Sequence, residues 1–151
     1  LAAAALVGLT IIVVLLLLAK WSRRPQPLRR IPTSHRLADC SPSPNCVCSQ
    51  ATRDAQTIAP FAVSGDVATA MQKMIGIIES LPQATITTRD KTYLHVEFRS
   101  TVFGFVDDVE FLADPSIPVI HVRSASRVGY SDGGSNRQRI DRLRKLYESS
   151  P

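Results

Sequence analysis

The first nineteen residues, Leu1 to Ala19, carry no charge, and the run ends at Lys20-Trp21-Ser22-Arg23-Arg24. As a helix rising about 1.5 Å per residue it would cover roughly 28 Å, against a hydrocarbon core of about 30 Å. Seven Leu, two Ile and three Val lie in it, and each favours insertion by about 0.3 to 0.6 kcal/mol at a helix centre. A secretory leader is the competing reading, but its apolar region usually runs about 7 to 15 residues. The length predicts a retained single-pass helix over residues 1–22, with the lipid bilayer as its first partner. Trp21 fits the aromatic belt at the interface.

Ala2 to Ala5 and Gly8 make the first half of this run small. Ala4 and Gly8 have the small-xxx-small spacing that lets helix backbones approach closely, and association in lipid relies on such packing. Transmembrane helices of other subunits are therefore expected partners. The net charge of +5 sits just after the span: residues 20–50 hold six basic side chains against Asp39, whereas residues 51–151 hold twelve of each sign. A nucleic-acid partner would need the excess on the domain itself, so none is expected. Arg23, Arg24, Arg29 and Arg30 suit anionic lipid headgroups, each contributing about 1 kcal/mol near such a surface. Basic residues close to a span tend to stay cytoplasmic, which predicts a cytoplasmic domain.

Residues 23–50 contain Pro25, Pro27, Pro32, Pro42 and Pro44 without apolar periodicity. Proline fixes φ and removes amide donors, so an extended linker is expected here, with a folded domain over residues 51–151. Three cysteines lie at its end, Cys40, Cys46 and Cys48. An odd number leaves a thiol outside any internal disulfide. Cys40 and Cys46 would close a small ring in an oxidising compartment, while Cys46-Val-Cys48 has the spacing of part of a thiolate clip. The ring would imply a periplasmic or lumenal domain, against the basic cluster.

In the domain, Ser64-Gly65-Asp66 reads as a cap region before Val67, Ala70, Met71, Met74, Ile75 and Ile78 at helical spacing, and Pro82 stops the run. The two methionines read as core filler. Residues 84–88 and 92–100 alternate around the polar turn Arg89-Asp90-Lys91, a hairpin pattern. Leu94, Val96 and Phe98 then point to the core; Tyr93, His95, Glu97 and Arg99 point to surface or site. Two more strands are expected over 104–112 and 119–127, and a last helix with Ile140, Leu143, Leu146 and Tyr147 inward, capped by Ser135 or Asn136. The class is α+β: a transmembrane helix, then a small two-layer domain with an antiparallel sheet and two main helices.

Three phrases, Cys40-Ser-Pro-Ser-Pro-Asn-Cys46-Val-Cys48-Ser-Gln50, Phe105-Val-Asp107-Asp108-Val-Glu110-Phe111 and His121-Val-Arg123-Ser124-Ala-Ser126-Arg127-Val-Gly129-Tyr130-Ser-Asp132, followed by Asn136-Arg137, resemble a bacterial and plastid family known as domain of unknown function 1499. The resemblance runs from about Leu37 to the end. It implies a domain boundary and a bacterial inner or plastid-type membrane, and no activity. Cys48 stands where the family pattern has serine.

The charged residues of those phrases are the expected binding site: Asp107, Asp108, Glu110, His121, Arg123, Arg127, Asn136 and Arg137. If the strands pair, carboxylates face guanidiniums, either as a ladder of cross-strand ion pairs or as a pocket in which Arg123, Arg127 and Arg137 fork onto an anion. Ser124 or Ser126 beside His121 lacks the geometry of a nucleophile, because strand neighbours face opposite ways. His95, His121, Glu97 and Glu110 lack metal-ligand spacing, and Gly129 to Gly134 lacks the Gly-Lys-Ser/Thr ending of a phosphate loop. No metal, cofactor or catalytic residue is expected. The function expected is that of a non-catalytic accessory subunit in a larger membrane complex, an energy-converting one (photosynthetic or respiratory) being one host class; the alternative is a tethered domain that binds a small anion or lipid headgroup.

Overall fold

The computed structural model describes residues 2–24 and 35–150. Arg29, Arg30, Pro25, Pro27 and Pro32 of the expected tether lie outside the described residues. The apolar run forms one helix, α1 (Ala2–Ser22), in which only Ala19 and Ser22 are buried. Its 21 residues amount to about 32 Å, enough to cross a bilayer.

The remaining elements are β1 (Cys46–Cys48), a 3-10 turn at Asp54–Gln56, β2 (Phe61–Ala62), α2 (Val67–Glu79), β3 (Ala84–Arg89), β4 (Tyr93–Arg99), β5 (Val106–Ala113), β6 (Val119–Ser126) and α3 (Ser135–Ser149). They build an antiparallel sheet in the order β1-β6-β5-β4-β3, with β2 sharing the outer edge of β6. The α+β class stands. The sheet, however, starts well before Ala51: β1 pairs Cys46 with Ala125 and Cys48 with Arg123. The cysteine segment is thus an edge strand rather than the end of a linker.

Side-chain alternation divides the sheet into two unlike faces. Leu94, Val96, Phe98, Val109, Phe111, Ile120 and Val122 pack under α2 and α3 with Met71, Met74, Ile78, Ile140 and Leu143, all buried. Of the expected cap region Ser64-Gly65-Asp66, Asp66 caps α2, accepting from the amide of Thr69 at 2.8 Å. The opposite face carries a smaller apolar patch of Leu37, Cys40, Cys46, Cys48, Tyr93, Leu112 and Ala125. Beside that patch lie the charged side chains, and the end of α1 meets them.

Neither Ser135 nor Asn136 caps α3. The cap residue is Gly134 at φ 83, a left-handed conformation that favours glycine. Asp132 supplies the capping oxygens from outside, accepting from Gly134 N at 2.9 Å and Asn136 N at 2.8 Å.

Candidate functional site

On the charged face, strands β1, β6, β5 and β4 set Cys48, Arg123, Glu110 and His95 in one row across the sheet, and Cys46, Ala125, Asp108 and Glu97 in the next. Arg127 reaches back along β6 to the second row. It forks onto Asp108, with Nε 3.0 Å from Oδ2 and Nη2 2.7 Å from Oδ1. The same Nη2 lies 2.6 Å from Glu97 Oε1, and Nη1 donates to the carbonyl of Ser22 at 3.0 Å. A guanidinium is suited to this because its planar donors meet several oxygens at once. Here it joins two strands and also holds a last-turn carbonyl of α1, the helix end where a cation is favourable.

His95 extends the network. Its Nε2 is 2.8 Å from Asp108 Oδ1, and an ionised carboxylate can only accept, so the imidazole donates. Nδ1 lies 2.7 Å from Thr87 Oγ1, a residue placed by the register shift between Ile86 and Thr88 of β3. In the first row Arg123 Nη1 donates to Glu110 Oε2 at 3.0 Å, and Tyr93 donates its hydroxyl to Oε1 at 2.7 Å. His95, Asp108, Glu110 and Arg123 are all buried. Burial opposes ionisation of Asp108, but the hydrogen bonds from His95 and Arg127 and the Arg127 charge outweigh it and hold the carboxyl well below the usual range. Burial likewise opposes the charge on Arg127, and its bonds to Asp108 and Glu97 reverse the effect.

This geometry corrects several expectations. Of the residues expected at surface or site, Tyr93 and His95 are buried within the charged network and Arg99 is exposed. Asp107 points to the helix side, where it pairs with Arg139 of α3. Arg137 does not join Arg123 and Arg127: its guanidinium donates to the carbonyls of Ala55 and Thr57 at 3.0 and 2.9 Å. Arg137 belongs to α3, which packs on the face of the sheet opposite Arg123 and Arg127, so the three-arginine pocket does not form. Asn136 is fully buried, accepting from Ser124 Oγ at 2.6 Å and donating to the Asn45 carbonyl at 2.9 Å and to Ser126 Oγ at 3.0 Å. It ties α3 to the start of β1 and the end of β6.

His121 sits at the far end of the sheet, away from Arg127. Ser49 Oγ is 3.2 Å from Nδ1 and Asp114 Oδ2 is 3.7 Å from Nε2, an order of groups that resembles a hydrolase triad. Ser49 Oγ, however, accepts the Val122 amide at 2.9 Å, and Asp114 is held by the amide and hydroxyl of Ser116 at 2.8 and 2.5 Å. The separation from Asp114 is too long for a hydrogen bond. Burial lowers the His121 pKa, with Asp114 opposing. Ser124 and Ser126 lie on the other face of the sheet.

Cys40 and Cys46 form a disulfide, with Cα atoms 5.7 Å apart. Cys48 is a buried free thiol whose pKa burial raises. Among the described residues no three His, Cys, Asp or Glu side chains converge as metal ligands. Ala4 and Gly8 lie on the part of α1 that the domain leaves uncovered.

The arrangement defines a small α+β domain led by an apolar helix long enough to cross a membrane, with its charged sheet face neutralised largely by its own ion pairs. The chain belongs to the family described as protein of unknown function DUF1499, whose profile matches residues 36–146. The match takes in the Cys40–Cys46 ring and leaves α1 outside. A search of curated proteins returned no match.

Proposed function

We propose that this protein is a membrane-anchored, non-catalytic accessory subunit whose helix and domain together form one rigid docking unit. The observation that carries this reading is the fastening of α1 to the sheet. Ser22 Oγ accepts the Val106 amide at 3.1 Å, the Ser22 carbonyl accepts from Arg127, and Arg23 donates to the carbonyls of Phe103 and Gly104. The buried charges therefore lock the orientation of the helix. The remaining apolar surface of α1, including Ala4 and Gly8, has no cover within the described residues and suits lipid or a neighbouring helix.

The disulfide supports placing the domain on an oxidising side, periplasmic or lumenal, since such bonds persist there and are rare in the cytosol. This outweighs the cytoplasmic bias of Lys20, Arg23 and Arg24, because that bias depends on the charges on both flanks of a span and not on one alone. Solubilisation in mild detergent followed by native electrophoresis should show co-migration with a large complex, lost in Gly8→Leu. Migration as a monomer in all conditions refutes the subunit reading.

A further inference from the structure

The end of the domain formed by the β4–β5 loop and the β6–α3 loop lies beside the last two turns of α1. Leu15 and Leu18 share a cavity of about 350 Å³ with Phe105, Val128 and Gly129. Leu15 is about 10 Å before Ser22 along the helix axis. Ser100 of the β4–β5 loop lines the same cavity, and Arg23 at the end of α1 holds the carbonyls of Phe103 and Gly104. Val102 at the loop tip is 81% exposed, Tyr130 of the neighbouring loop 76%, and Trp21 of α1 55%. Tyr and Trp so exposed have an apolar body and a polar edge, which suits the boundary between lipid and water. Behind the tip, Arg99 and Arg142 line a groove of about 400 Å³ with Gln83, Ser100, Thr101 and Gln138. Both arginines are exposed, as are Lys20 and Arg24.

We propose that this end of the domain seats on the bilayer: Val102, Phe103 and Tyr130 enter the interfacial layer beside Trp21, and Arg99 and Arg142 meet phosphates of anionic phospholipid. The proposal rests on α1 spanning the membrane, which carries the loop to that depth. Aromatic rings favour the interfacial layer, and cations near it favour anionic headgroups.

The test uses the full chain in phosphatidylcholine vesicles with and without phosphatidylglycerol. Trp21 is the one tryptophan of the chain, so Trp21→Phe with Val102→Trp leaves a single reporter at the loop tip. Lipids brominated near the headgroup should quench it as strongly as they quench Trp21 in the unsubstituted chain, and more so with phosphatidylglycerol present. Trp21→Phe with Ile117→Trp, at the other end of β5 and about 25 Å away, should stay unquenched. Equal, weak quenching at 102 and 117 while native Trp21 is quenched overturns the proposal and leaves the span intact. An unquenched native Trp21 overturns both. Shielding of residue 102 in native membranes but not in pure lipid overturns it in favour of a protein partner, and indifference to phosphatidylglycerol overturns the role of Arg99 and Arg142.

Discussion

Replacing Asp108 with Asn is the sharpest perturbation of the charged face, because it keeps the shape and removes one charge. Asp108 accepts two bonds from Arg127 and one from His95. The imidazole can adapt by switching tautomer, donating to Thr87 and accepting from the new amide. Arg127 cannot, so one of its N–H groups faces an amide N–H, and its buried charge keeps Glu97 as its one ionic partner beside the neutral Asn oxygen and the Ser22 carbonyl. Removing one partner of a buried ion pair costs about 3 to 5 kcal/mol, and Glu97 keeps the loss near the lower figure. With a urea dependence of about 1 to 3 kcal/mol per molar, the unfolding midpoint of the solubilised full chain should fall by about 1 to 3 M at pH 7. The acid limb supplies a second readout. The folded pKa of Asp108 lies below its unfolded value, so the unfolded state binds more protons and the stabilisation is present above about pH 4 and lost as pH falls through the folded pKa. The gap between native and Asp108→Asn proteins should therefore narrow from pH 5 downward. A midpoint shift below about 0.3 M, or a gap that does not change with pH, refutes the ion-network argument.

Asn136→Ala strips hydrogen bonds from Ser124, Ser126 and Asn45 and should destabilise by about 2 to 3 kcal/mol, read from the same urea transition. Reduction of Cys40–Cys46, with a sequence separation of only 6, should cost about 2 kcal/mol and leave the sheet folded, checked by circular dichroism with and without reductant. Cys48 should resist maleimide until urea unfolds the chain, since burial excludes reagent and raises its pKa; fast labelling of the folded protein counts against its position in β1. Gly104 has φ +68 and its added Cβ would meet the Arg23 guanidinium, so Gly104→Ala should cost about 1 kcal/mol or more and increase protease access at Arg23 and Arg24.

The helix, the α+β class and the faces of the central strands were legible from the residues alone. These follow from local rules: a run of apolar residues of membrane length, a 3.6-residue period after Asp66, and a period of two in β4 to β6. Asp108 and Glu110 also fall on one face with Arg123 and Arg127, because alternation carries that information along a strand. Which charges pair came from the packing of the folded chain. Asp107 leaves its neighbour to join Arg139, Arg137 turns to Ala55 and Thr57, and His95 is interior, since register and helix placement depend on distant residues. The link from Ser22 to Arg127 spans |i−j| of 105 and has no local signature. A run of leucines can specify a span, but whether its end swings on a tether or is bolted to the sheet depends on where a distant guanidinium comes to rest.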